Sequence, residues 1–305
     1  MTWQEALSPA ERQELLTLDD VRAWRSILVD WGLIAASFVL VARVPHVVTV
    51  LLAIAVIGGR QLGLAILMHE AAHRILLSDR RWNDVVGNWL GAYPIYLDVF
   101  PYRNYHLRHH AKTWTADDPD LPLATPFPIT RTSLRRKIGR DLSGKTGWKR
   151  FKFTLKGDLG MSPGIGQITK NPGWRSFRGM VITNVALLAV LALAGHPALY
   201  LLWVAAWFST YSLVTRIRSI AEHAMIDDPA DDLRNTRTTV ARWWERLLIA
   251  PNYVNYHLEH HLLMTVPHYN LPRMHRLLRD RGVLGNACVV TGYPAVLRTA
   301  ASRAA

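Results

Sequence analysis

Eight of the thirteen histidines in this chain fall into three tight clusters: His69-Glu-Ala-Ala-His73, His106-Leu-Arg-His109-His110 and His257-Leu-Glu-His260-His261. A ninth, His223, stands beside Glu222. Residues at i, i+3 and i+4 share one face of an α-helix, so each cluster is expected to project its imidazoles together. One-sided gatherings of imidazole suit zinc, copper, iron or nickel. One four-coordinate zinc uses at most four ligands. Nine imidazoles suit two ions with four or five ligands each. The single cysteine, Cys288, argues against iron–sulfur clusters and thiolate zinc and excludes an intramolecular disulfide. His46, His196, His268 and His275 stand alone and read as ordinary core or surface residues.

Carboxylates near such clusters can offset positive charge and orient ligand imidazoles through their second ring nitrogen. Glu70, Glu222 and Glu259 each adjoin a cluster histidine. Adjacent helical residues point about 100° apart, so each is expected to serve a ligand from another segment. Asp117, Asp118 and Asp120, just after the second cluster, are further candidates.

The elements that must position these residues read as membrane-spanning. Half of the 305 residues are apolar, and they gather in long blocks. Residues 1–25 read as an interfacial helix. Apolar spans are expected over about 26–44, 47–67, 179–194 and 198–215, forming two hairpins. Residues 84–100, broken by Gly87, Gly91, Pro94 and Pro101, read as a short re-entrant or interfacial segment. Trp243, Trp244 and Leu247 to Pro251 suggest another interfacial helix. The formal charge of +13 lies between the apolar blocks, so the positive-inside rule accounts for most of it and nucleic acid is not an expected partner. The turns 44–46 and 195–197 carry no Lys or Arg, whereas Arg74, Arg80, Arg81 and the run from Arg131 to Lys156 lie on the opposite side. That side is expected to be cytoplasmic and to hold both termini and every cluster. The acidic N-terminus does not read as a signal peptide. The expected architecture is therefore an all-α integral membrane protein: four transmembrane helices under a cytoplasmic helical cap with a histidine-rich dimetal site, forming one domain over 26–285 with a tail over 286–305.

The three boxes, Arg-Ser-Ile-Ala-Glu-His223, Asn235-Thr236-Arg237-Thr238 and His261-Leu-Leu-Met-Thr-Val-Pro267 leading into Asn270-Leu271-Pro272 resemble the membrane fatty acid desaturase and hydroxylase superfamily, the histidine-box di-iron oxidases. The resemblance covers roughly residues 30 to 280. It implies that His69, His73, His106, His109, His110, His223, His257, His260 and His261 bind two iron ions. It further implies that O2 is the co-substrate, that an unactivated C–H bond of a lipid acyl chain is attacked, and that electrons come from a separate ferredoxin- or cytochrome b5-like donor. His257 stands where front-end members carry Gln, and no fused cytochrome b5 domain is evident. Desaturation of a fatty acid or acyl lipid is the expected activity. A lipid or carotenoid hydroxylase or ketolase and an alkene-forming decarboxylase remain open on the same boxes.

Two readings from other classes compete. His69-Glu70-Ala-Ala-His73 satisfies the His-Glu-x-x-His pattern of a zinc metalloprotease with Glu70 as base, but one zinc needs only one more protein ligand, and the reading leaves the two His-x-x-His-His boxes and His223 unexplained. A metal transporter would carry ligands near mid-span, whereas these follow the span ends. Arg60, an intramembrane cation, is a functional candidate by default. It could equally meet a buried acid such as Asp30 or reach toward the interface. The basic run with Arg135, Arg136, Lys137, Arg140, Lys145, Lys149, Arg150, Lys152 and Lys156 reads as a face for anionic headgroups of membrane lipids, or for docking of an acidic electron donor.

Overall fold

The computed structural model describes residues 2–159, 161 and 173–304, so residues 160 and 162–172 of the polar central stretch lie outside the described residues. Helix predominates. The chain runs through α1 (Pro9–Leu16), α2 (Asp20–Arg43), α3 (Val47–Ala72), α4 (Arg80–Val86), α5 (Val99–Lys112), α6 (Leu121–Ala124), α7 (Arg131–Leu142) and α8 (Lys145–Asp158). It continues through α9 (Trp174–Leu193), α10 (Tyr200–Phe208), α11 (Thr210–His223), α12 (Trp243–Leu248), α13 (His257–Leu262), α14 (Leu271–Asp280) and α15 (Tyr293–Ala300).

Four helical segments are long and apolar enough to cross a membrane: Asp20–Arg43, Val47–Ala72, Trp174–Leu193 and Pro197–His223. Each runs further than the apolar blocks alone suggest. The Asp19 carboxylate starts α2 by accepting from the Arg22 N–H at 3.1 Å, which places residues 20–25 in the first long helix and not in an N-terminal one. His46 starts α3 in the same way, its Nδ1 accepting from the Val48 N–H at 3.2 Å. The fourth segment bends at Ser209, between α10 and α11.

Helix α3 is the axis of the fold. It is buried continuously from Ile57 to Ala72, and α2, α5, α10 and α11 pack around it. Close approach is possible because of glycine. A Cβ on Gly58 would collide with Thr210, whose hydroxyl donates to the Ile54 carbonyl at 2.7 Å. The outward faces of the long helices are apolar and exposed, through Leu28, Val29 and Val39 on α2, Val47, Leu51 and Leu52 on α3, and Val185, Val190 and Leu193 on α9.

Residues 84–100 form no span. They are a π-helical turn (Gly87–Ala92), a 3-10 turn (Tyr93–Ile95) and a reversal at Tyr96, which has φ of 62°. This segment lies against α3 and delivers the chain into α5.

Both chain ends pack into the fold. In α1, Leu15 is fully buried and joins Ala6 and Leu7 in an apolar cluster with Leu258, Leu262 and Met274. This helix therefore packs on the third histidine box. The C-terminal tail packs against the domain. Val289–Thr291 pairs in parallel with Thr238–Val240, and α15 buries Tyr293, Val296 and Ala300 in the main core.

Candidate metal centre

Nine histidines converge at the end of the long helices opposite the turns at Val44–His46 and Gly195–Pro197. They form two groups. His69, His73, His106, His110 and His260 offer nitrogens within 4.8 Å of one another, and so do His109, His223, His257 and His261. His69 ends α3, with His73 capping it, and His223 ends α11. The second box lies on α5 and the third on α13.

Each His-x-x-His-His box divides between the groups, and helical geometry explains why. At 3.6 residues per turn, i and i+4 lie about 40° apart, while i+3 and i+4 diverge by about 100°. His106 and His110 therefore face the five-histidine group and His109 the other. In the third box His257 and His261 face the four-histidine group and His260 the five. The boxes do not project as single faces; each braces both groups. The rings of His110 and His261 stack at 4.3 Å between centroids, across the two groups.

The donor set fits metal. The Nε2 atoms of His106 and His110 lie 3.0 Å apart, as do those of His110 and His260, and those of His257 and His223 lie 2.8 Å apart. Nε2 of His69, His73, His109 and His261 is buried with no hydrogen-bond partner. Buried polar atoms without partners are rare in native proteins. Four orphaned nitrogens within one centre have a natural acceptor in bound cations, and no thiolate is present. Burial, reinforced by neighbouring imidazoles, holds His106, His110, His257, His260 and His261 below their ordinary pKa, and burial beside His69 takes His73 to about 3. Neutral imidazole is the ligating form.

Those shifts set a pH dependence. The unfolded chain binds protons near pH 6.5, and the folded cluster refuses them, so the unfolded state gains relative stability as pH falls through that value. Metal-free protein in detergent should melt at a lower temperature at pH 5.5 than at pH 7.5. Equal melting temperatures would mean that these imidazoles charge freely in the fold.

Among the carboxylates, Asp118 makes the direct contact. Nδ1–H of His109 donates to its Oδ1 at 2.7 Å, which leaves Nε2 of His109 facing the cluster. Burial works against the Asp118 charge, but His109 and the N–H groups of Asp120 and Trp114 hold its pKa below the usual range. Asp120 lies 3.8 Å from His109 and accepts from Tyr105. Asp117 is exposed beside Arg108. Orienting carboxylates typically govern 10- to 100-fold in metal affinity or activity. Asp118→Asn should therefore weaken metal retention roughly 10- to 100-fold, read by chelator competition; retention equal to wild type would remove this role.

The glutamates behave differently from one another. Glu222 serves another segment, with Oε1 3.6 Å from Nδ1 of His257, and it accepts from Arg218 at 2.6 Å. Glu259 faces His275 and no cluster histidine, and Glu70 divides between His268 and the cluster histidine His69. Glu70 accepts from the His268 backbone N–H at 2.8 Å and from its Nδ1 at 3.1 Å, while lying 3.4 Å from His69. Glu259 accepts from Nδ1 of His275 at 2.6 Å and from the Thr238 hydroxyl. The divergence of adjacent helical residues carries the Glu259 carboxylate to His275, whereas the Glu70 carboxylate lies between His268 and His69. Glu70 is thus engaged with the Pro267–His268 segment and is not placed as the base of a protease.

Two arginines escaped sequence reading. Arg103 donates to the Ala71 and Ala72 carbonyls, both at 2.8 Å, and to Asp84. Arg237 donates to the Ala221 and Ala224 carbonyls at 3.1 and 2.8 Å. Each satisfies the free carbonyls where a histidine-bearing helix ends. Position one helical turn before His106 and inside Asn235-Thr236-Arg237-Thr238 was the only signal of either.

The family model for fatty acid desaturase matches residues 42–289. The dihydrorhizobitoxine desaturase of Bradyrhizobium elkanii is 26% identical over 241 residues, covering 76% of this chain and 68% of that one. The chloroplastic omega-6 fatty acid desaturase of Brassica napus is 25% identical over 299 residues, covering 88% of this chain; this chain spans only 62% of its length. The sn-1 oleoyl-lipid 12-desaturase of a Synechocystis species is 24% identical over 282 residues, covering 85% and 76%.

Proposed function

The chain belongs to the fatty acid desaturase family, and from that premise we propose that it is a membrane-embedded di-iron oxidoreductase that desaturates a fatty acyl chain. The observation that carries this reading is the division of nine buried imidazoles into groups of five and four at one end of four apolar helices. His69, His73, His106, His110 and His260 would hold one iron, and His109, His223, His257 and His261 the other. When bound, such irons supply activation of dioxygen and removal of hydrogen from an unactivated C–H bond, with two electrons from a separate ferredoxin- or cytochrome b5-like donor.

The chain's own residues set the conditions for that chemistry. Buried imidazoles stay neutral and ready to ligate. Asp118 fixes the orientation of His109, and Arg103 and Arg237 pin the helix ends that carry His69, His73 and His223. Tyr102 stacks on His106 at 5.2 Å between ring centroids and helps to close the centre against water. An apolar cavity of about 310 Å³ lined by Tyr96, Phe151, Phe177, Met180, Val181 and Leu188 has the chemistry an acyl chain requires.

Membrane placement is supported by the exposed apolar faces of the long helices. The charge-poor turns support an outward position for residues 44–46 and 195–197, with both termini and the metal centre cytoplasmic. Expression in cells followed by profiling of their lipids tests the activity. New double bonds that vanish with His261→Ala would support desaturation. New hydroxyl groups in their place would assign a hydroxylase, and an unchanged profile with iron-loaded protein would overturn both.

A further inference from the structure

The basic run divides in the fold. Lys145 and Lys149 are exposed, whereas Lys137 of α7 and Arg150 of α8 are turned inward and half-buried. With Arg216 of α11 they line a cavity of about 280 Å³, whose wall also carries the hydroxyls of Ser212, Thr215 and Ser219. These three recur at i, i+3 and i+7, on one face of α11.

The cavity holds uncompensated positive charge. Among the described residues no acid lines it, and Asp141 beside it is taken by Arg216, with Nη2 donating to Oδ1 at 2.9 Å and Nε to Oδ2. Lys137 and Arg150 have no ion-pair partner among the described residues. Burial and the guanidiniums of Arg216, Arg140 and Arg136 push the Lys137 pKa below its ordinary value. Arg150 lies 5.1 Å from the centroid of the Tyr211 ring, and its Nη1 is buried with no acceptor. A buried guanidinium donor without an acceptor is costly and points to an anion absent from the protein itself. Two cations and an orphaned donor match the oxygens of a phosphate, with the Ser219 hydroxyl beside them, while the Ser212 and Thr215 hydroxyls donate to the Trp207 and Tyr211 carbonyls.

The position is informative. Ser219 lies one helical turn, about 6 Å of rise, before His223, so one rigid helix connects the cavity to the candidate metal centre. We propose that this cavity seats the phosphate of a phospholipid whose acyl chain is the substrate, an inference that rests on the desaturase reading. A phosphate ester at this point holds the lipid head at a fixed distance from the metals while the chain enters among the apolar helices.

The test measures binding of a short-chain phosphatidylglycerol, of the matching diacylglycerol and of inorganic phosphate to the purified, metal-loaded protein in detergent. Removing two charge-assisted hydrogen bonds should cost at least about tenfold. Lys137→Gln/Arg150→Gln should therefore weaken phosphatidylglycerol binding by about that factor and leave diacylglycerol binding unchanged. Lys145→Gln/Lys149→Gln removes the same charge outside the cavity and should leave both unchanged. If the double cavity variant does not fold, Lys137→Gln alone should give a smaller loss in the same direction. Equal binding of phosphatidylglycerol by wild type and cavity variants would overturn the proposal. Displacement of the lipid by an equal concentration of inorganic phosphate would overturn the lipid as occupant. Binding is read without turnover, so failure of this site and failure of the desaturase reading are separable.

Discussion

His260→Ala and His261→Ala, one residue apart, should abolish turnover for different reasons. The first removes a ligand from the five-histidine group and leaves His69, His73, His106 and His110 in place. The second leaves only His109, His223 and His257 in the other group. Four imidazoles still satisfy a divalent ion, and three leave its coordination open. Iron should thus fall from about two per chain toward about one in His261→Ala and fall less in His260→Ala. Elemental analysis of the two purified variants beside wild type makes the comparison. Identical depletion would mean that the boxes act as undivided units, and full turnover with two irons in either variant would break the assignment.

Arg60→Leu should unfold the protein more readily without touching the chemistry. Nη1 of Arg60 meets Oδ1 of Asp30 at 3.0 Å, and Nη2 donates to the Arg246 carbonyl at 3.1 Å and to that of Leu247. Nδ2 of Asn252 donates to the other Asp30 oxygen at 2.8 Å and to the Gly63 carbonyl at 3.1 Å. Both charges are buried, so the cluster ties α2, α3 and residues 246–252 together. A Cβ on Gly63 would strike the Asp30 carboxylate, so glycine there makes room for the pair. Removing one partner of a buried pair leaves the other uncompensated and costs about 3–5 kcal/mol. Asp30→Leu should cost a similar amount, and the double replacement should recover most of it. Thermal unfolding in detergent across the three variants reads the cycle. An unchanged midpoint for Arg60→Leu would remove the structural role, and lost activity per bound iron in folded protein would restore a functional one.

The convergence of the histidines was legible because i, i+3 and i+4 span only about 100° of a helix, which turns each cluster toward one region even where its members divide. Their allocation was not, since 40° and 100° separations become different neighbours only once the facing helices are placed. Asp30 as partner of Arg60 was foreseeable because a buried cation demands an anion. Glu259 was misdirected because its partner, His275, is a single residue with no periodic signal, and the share of Glu70 taken by His268 beside His69 was hidden for the same reason. Three of the long helices run past their apolar blocks where Asp19, Arg103 and Arg237 cap ends that hydropathy cannot see. The parallel pairing of Val289–Thr291 with Thr238–Val240 joins segments too short and too distant to advertise a strand.

The unequal division of the boxes also dictates an order of construction. Four of the five histidines of one group, His69, His73, His106 and His110, lie in the first 110 residues, whereas the other group has only His109 until His223 has been made. Chains emerge N-terminus first and fold as they do so. A growing polypeptide can therefore capture its first ion with α3 and α5 alone, long before the second position exists. An ion bound there would clamp the two helices together before the later segments are made, and those segments would close on a half already metallated.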